Sequence, residues 1–169
     1  AAPLESGRFR LHQQAIMDIT LNPISTGSNW RMAAASQDGS IVIADSTGPA
    51  LMTLTSGGSA INTLAWSPDG SQVAAGSANG SLRVWDADTG DSVAISLVFH
   101  QRPVTALIWS ADGSQLVSGD QLGNIVLWDA STGAIVDTVQ AEGAVLRLDW
   151  LPSQQGYLIQ AEVNEDYVA

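Results

Sequence analysis

Residues 61–90 read INTLAWSPDGSQVAAGSANGSLRVWDADTG, and residues 104–133 read VTALIWSADGSQLVSGDQLGNIVLWDASTG. Trp66 and Trp109 stand 43 residues apart, as do Trp85 and Trp128 and the Asp69-Gly70 and Asp112-Gly113 pairs. At that offset residues 61–97 and 104–140 agree at 15 of 37 positions, which identifies an internal repeat. A third copy lies upstream, from Ile16 to Pro23 and through AAASQDGSIVIADSTG at 33–48. A fourth begins with VLRLDWLP at Val145 and continues through YLIQAEV at 157–163.

Within one copy the apolar period is two. Leu82-Arg83-Val84-Trp85 and Ile125-Val126-Leu127-Trp128 are short β-branched or aromatic runs, bounded by Gly, Asp, Asn and Ser. Pro68-Asp69-Gly70, Asn79-Gly80 and Thr89-Gly90 mark turns, because glycine takes positive φ without steric cost and Asn or Asp bonds its own turn. Strand and turn alternate about every ten residues, so each copy is expected to hold four strands, and no stretch carries a capped helical stripe. The chain is predicted to be all-β.

The order apolar-x-x-Leu-x-Trp-Ser-Pro-Asp-Gly, then Gly-Ser, then Val-Trp-Asp, then Thr-Gly resembles the WD repeat of β-propellers. The resemblance is strong in the two central copies and weak at both ends, and it covers essentially the whole chain. It implies four-stranded antiparallel blades stacked around an axis, each hiding a face against its neighbour. Trp66, Trp85, Trp109, Trp128 and Trp150 are then expected to be the broad packing surfaces between blades. Asp69, Asp86, Asp112 and Asp129 are expected to be turn residues.

The family also implies a polar network of a His before the innermost strand, a Ser or Thr in the second, an Asp in the next turn and the Trp of the third. On that pattern the first copy offers His12, Ser36 and Asp38 but has Ala44 in place of the Trp. The second offers Ser77 and Trp85, with Gly57 and Asn79 at the His and Asp positions. The third offers His100 and Trp128, with Leu122 at the acidic position. No copy is expected to complete the network, and stability is expected to rest on apolar packing.

In WD-repeat proteins each sequence copy opens with the outer strand of the preceding blade. The resemblance thus implies a lone outer strand at 8–12 around Phe9-Arg10-Leu11, blades at about 15–55, 61–98 and 104–140, and a last blade from 144–169 completed by that N-terminal strand. These make one propeller-like domain or fragment over residues 1–169, with about four blades. Three arrangements follow: part of a longer chain with further blades, two copies pairing into an eight-bladed ring, or four blades closing alone. The first is favoured, because propellers of this family usually need about seven blades, and the third ranks lowest, because wedge angles suited to seven do not fit four.

Composition narrows the chemistry. Six Arg, no Lys and seventeen Asp plus Glu give a net charge of −11. Such a chain repels phosphate backbones, so nucleic acid is not an expected partner. Without cysteine there is no disulfide, zinc-thiolate site or thiol nucleophile. No apolar run reaches the roughly 18 residues of a membrane span. The start, AAPLESGRF, has no signal-peptide pattern, and its small residues suit either a cleaved mature end or a boundary within a longer chain. Cytoplasmic and extracytoplasmic locations both stay open.

His12 and His100 both precede an innermost strand, which favours internal structural roles, and no Gly-x-Ser-x-Gly elbow supports a Ser nucleophile. Asp86 to Asp91 departs from a calcium loop at its Gly and at its twelfth position, Leu97, and a strand-joining turn explains the same residues. Glu162, Glu165 and Asp166 read as a solvated loop. No catalytic, cofactor-binding or metal-ligating residue is assigned. The leading expectation is a non-catalytic protein-interaction scaffold, within a multi-subunit complex or completing its ring by self-association. One alternative is a propeller enzyme with carboxylates or a metal at the central channel, for which the innermost strands supply only Asp18 and Asp149. The other is a structural subunit that pairs its open blade edges.

Overall fold

In a computed structural model, residues 11–93, 99–153 and 156–164 are described. They form thirteen strands and no helix. The first sheet has the order β1 (Ile16–Leu21), β2 (Arg31–Ser36), β3 (Ser40–Asp45), β4 (Gly48–Thr55). The second is β5 (Ile61–Trp66), β6 (Gln72–Ser77), β7 (Leu82–Asp86). The third is β8 (Val104–Trp109), β9 (Gln115–Asp120), β10 (Asn124–Asp129), β11 (Ile135–Gln140), and the fourth pairs β12 (Ala144–Ser153) with β13 (Gly156–Asn164). Every pairing is antiparallel between neighbours in sequence, as short hairpin turns require. The expected outer strand at Phe9-Arg10-Leu11 lies outside the described residues except for Leu11, which with His12 is not in a strand. The expected fourth strand near residue 98 and the acidic residues Glu165 and Asp166 fall outside them too.

The strands β1, β5, β8 and β12 pack on one another in turn and form the inner edge of the stack. Three apolar clusters lie one to each junction. Ala33, Ala35, Ile41 and Ile43 of the first sheet meet Leu64, Trp66, Val73 and Trp85 of the second. Leu82 and Val84 meet Val104, Trp109, Leu116 and Trp128, and Val117 and Ile125 meet Val145 and Leu148. A sheet this small cannot bury both faces alone, so each blade borrows its neighbour's core. The described strands of the fourth sheet do not pack extensively on the first, and the blades form an open arc.

Two features of these junctions carry no local sequence signal. Each innermost strand has a register shift at the same place: between Ile16 and Asp18, Ile61 and Thr63, Val104 and Ala106, and Val145 and Arg147. Such bulges re-aim one side chain, and in the middle blades that side chain bridges to the next: Asn62 Nδ2 donates to Val104 O at 3.2 Å, and Thr105 Oγ1 donates to Val145 O. Second, Gly76 and Gly119 sit at equivalent points of β6 and β9. A Cβ there would lie 2.5 Å from Val104 Cγ1 or Val145 Cγ1, so only glycine lets the next blade's valine nest against the strand.

Candidate functional site

The most connected polar cluster lies inside the third blade, where a His-Ser-Asp-Trp network is complete. His100 Nδ1 is 2.8 Å from Asp120 Oδ2, and His100 Nε2 is 2.7 Å from Ser118 Oγ. Trp128 Nε1 donates to Ser118 Oγ at 2.8 Å. The carboxylate can only accept, so His100 Nδ1–H donates to Asp120. Nε2 of the neutral ring then accepts the Ser118 hydroxyl proton, while Ser118 Oγ accepts from the indole. Asp120 also accepts from the amides of Leu122 and Asn124 and from Asn124 Nδ2. Every group is satisfied with His100 neutral, and both side chains of the His100–Asp120 pair are fully buried.

This corrects the expectation that the third copy lacks its acid. The acid is not at Leu122 but two residues earlier, at the end of β9. Residues two apart on a strand face the same side, so Ser118 and Asp120 reach His100 together. In the first blade the acid stays in the turn and the link is longer. His12 Nε2 donates to Ala34 O at 2.9 Å, His12 Nδ1 is 3.0 Å from Ser40 Oγ, and Ser40 Oγ donates to Asp38 at 2.5 Å. Ala34 holds the place of Ser118, and Ser36 instead accepts from the Asp38 amide. In the second blade Asn79 replaces the acid and binds Ser81.

Trp66, Trp85, Trp109 and Trp128 are buried, and Trp150 is partly buried against the third cluster. Two of the indoles also bond across a junction: Trp66 Nε1 to Thr20 O at 3.2 Å, and Trp109 Nε1 to Ala65 O at 3.1 Å. Asp69, Asp86, Asp112 and Asp129 each accept hydrogen bonds from their own turns, as Asp112 does from Ser110 Oγ and Ser114 N. The two carboxylates expected on innermost strands are engaged separately: Asp18 Oδ2 accepts the Leu64 amide at 2.7 Å, and Asp149 forms a two-pronged pair with Arg147. Among the described residues no group of three or more His, Asp or Glu side chains is poised to hold a metal, and no helix is long and apolar enough to cross a membrane.

These partners set the acid behaviour. Burial pushes the His100 imidazole below its ordinary value, and Asp120 offsets this only in part. The unfolded chain then takes up a proton first, so His100's contribution is complete above pH about 6.5 and declines as pH falls below it. The Ser110 hydroxyl and the Ser114 amide hold the Asp112 carboxyl down to about 2, and the Ser131 and Thr132 hydroxyls do the same for Asp129. Their contribution is present above the unfolded value of 3.8 and is lost as pH falls toward 2. The urea midpoint should therefore be level from pH 7 to 8, lower at 5.5 and lower again at 3. A midpoint that rises between pH 7 and 5.5 would contradict the buried neutral imidazole.

At the end of the stack where β1 joins β2 and β5 joins β6, a groove of about 430 Å³ lies over the first junction. Arg31, which opens β2, spans it: Nη1 donates to Asp88 Oδ1 at 2.6 Å, Nη2 donates to Ala87 O, and the guanidinium lies 6.0 Å from the Trp66 ring centroid. Asn22, buried beside it, donates to Gly70 O at 2.9 Å. A second groove of about 420 Å³ lies over the next junction, lined by Trp109, Gln72 and Asp112. Arg31, Asn22, Ser118 and Asp120 were not singled out in the sequence. An acid within an otherwise apolar strand was the one available sign of Asp120.

Comparison with known proteins agrees with this architecture. Residues 48–86 match the family model described as WD domain, G-beta repeat, and residues 95–153 match that of the Anaphase-promoting complex subunit 4 WD40 domain. The solved structure of the RRP9 WD40 repeats superposes with a TM-score of 0.75 at 23% identity, over 83% of this chain and 43% of that one. The structure of U3-55K gives 0.74 at 22% identity, over 83% and 44%. The chain spans less than half the length of these structures, and no curated protein matches it in sequence. The same fold recurs in 1288 solved chains, so it selects no partner by itself. Repeats, blade topology and family models converge: the chain belongs to the WD-repeat β-propeller family.

Proposed function

We propose that this chain is a non-catalytic scaffold that binds other proteins through the surfaces of its blades. The observation that carries this reading is on β1. Ile19 and Leu21 are 52% and 62% exposed, whereas Leu64 and Trp66, their equivalents in the repeat, are 6% and 7% exposed against the preceding blade. Alternate apolar side chains on the face where the other blades meet a preceding blade are a docking surface for a further blade or another polypeptide. The Ser118–His100–Asp120 set supports the same reading, because its hydroxyl is sealed from solvent and committed to Trp128 and His100.

The test is affinity capture with the protein as bait, comparing wild type with the Ile19→Asp/Leu21→Asp double variant. Both side chains stand in water, so each change should alter stability by no more than about 0.5 kcal/mol. The proteins held by the wild type should be depleted at least tenfold on the variant. Equal recovery on both baits would show that this face does not mediate association.

A further inference from the structure

The two grooves are copies of one another in the repeat, and they differ at two places: Gln72 stands where Arg31 does, and Ser131 where Asp88 does. Arg31, Gln72 and Gln115 each open the second strand of their blade. In the first groove Arg31 lays its guanidinium over the indole of Trp66 and closes onto the Asp88 carboxylate and Ala87 O. In the second groove Gln72 stands at that place, and the indole of Trp109 lines the groove itself. The first slot shows a guanidinium held beside an indole and a carboxylate; the second presents the edge of an indole, Trp109, and a carboxylate, Asp112, with no arginine of its own.

The charge around the second slot suits the same ligand. Strand alternation brings the β5–β6 and β8–β9 turns and the turns after β7 and β10 to one end of the stack. These turns carry Asp69, Asp86, Asp112 and Asp129, and no arginine stands in any of them. At the mouth of the slot, Asp112 spends only Oδ1 on its turn, taking Ser110 Oγ, Ser114 N and Ser114 Oγ. Its Oδ2 is left to face a donor. A planar guanidinium stacks on an indole and bonds a carboxylate in one geometry, whereas an ammonium offers only a point charge.

We propose that the groove between the second and third blades takes an arginine side chain from a segment of a partner protein, stacked on Trp109 and paired with Asp112. This rests on the scaffold reading above and assigns it a second contact, away from the Ile19–Leu21 face. Its probe is the peptide Gly-Arg-Gly-Arg-Gly, titrated calorimetrically beside its lysine and citrulline counterparts. The arginine peptide should bind at least tenfold more tightly than the neutral citrulline peptide and several-fold more tightly than the lysine peptide.

The deciding variant is Gln72→Arg, which gives the second groove its own guanidinium as Arg31 does in the first. It should weaken arginine-peptide binding at least tenfold while leaving the circular dichroism spectrum unchanged. Asp112→Asn keeps the turn through its amide oxygen and should weaken binding several-fold, so the test does not hang on one substitution. Equal binding of arginine and lysine peptides, indifference to Gln72→Arg, or no binding at millimolar peptide would each overturn the proposal. If captured proteins respond to the Ile19→Asp/Leu21→Asp change while the peptide fails, the groove proposal falls and the scaffold reading stands. If neither responds, both fall.

Discussion

Replacing Asp120 by alanine is expected to lower the unfolding free energy by about 2–4 kcal/mol, because the donors that share its carboxylate lose their acceptor. Four donors depend on that carboxylate: His100 Nδ1, the amides of Leu122 and Asn124, and Asn124 Nδ2. A buried donor left without an acceptor costs about 1–3 kcal/mol; this applies in full to His100 Nδ1, which is sealed from water, and less to the partly buried donors of Leu122 and Asn124. Asp120→Asn should fall between the two, since an amide oxygen still accepts but its NH₂ opposes His100 Nδ1–H in one of its two orientations. Ser118→Ala and Asp120→Ala combined should cost less than the sum of the two, because both act through the same imidazole. Urea denaturation measures all four values. A loss below about 1 kcal/mol for Asp120→Ala would show that the network is not a structural tie.

The second large effect is expected at the junctions. Trp109→Ala should cost about 3–5 kcal/mol, as for other buried indoles, because it opens a cavity among Leu82, Val84, Val104 and Leu116. Trp109→Phe keeps most of the apolar contact and loses the bond to Ala65 O, a difference of about 0.5–1.5 kcal/mol for that bond alone. Leu21→Ala, at the equivalent position of the first blade, should change stability by less than about 0.5 kcal/mol because that side chain is already in water. Thermal melts of the three variants check this order. If Leu21→Ala proves as damaging as Trp109→Ala, the first blade's outer face is covered and not exposed.

The strands, their antiparallel order and the turns were legible because their causes lie close together in sequence. Alternation along Leu82–Trp85 and Ile125–Trp128 has a period of two, and Asp112-Gly113 closes its turn with residues no more than three positions away. The 43-residue offset then carried one blade's pattern to the next, and the inner placement of Trp66, Trp85, Trp109 and Trp128 followed from the family resemblance. Asp120 has no counterpart at the acidic position of the repeat, because its carboxylate stands two residues before that position. A shift of two residues leaves a strand's side chain on the same face, so the acid moved from the turn into the strand and still reached His100.

The junction contacts were invisible for a different reason. Arg31 to Asp88, Asn22 to Gly70, Trp109 to Ala65 and Thr105 to Val145 each join residues from about 40 to 57 positions apart. No local pattern marks Thr105 as a bridge or Gln72 as the absent guanidinium of a groove. Residue order alone dictated wedge-shaped antiparallel blades, since backbone pairing and turn closure are short-range. Which side chains tie one blade to the next, and which slot between blades stands open, emerged only once the sheets were stacked, because both depend on how distant surfaces meet.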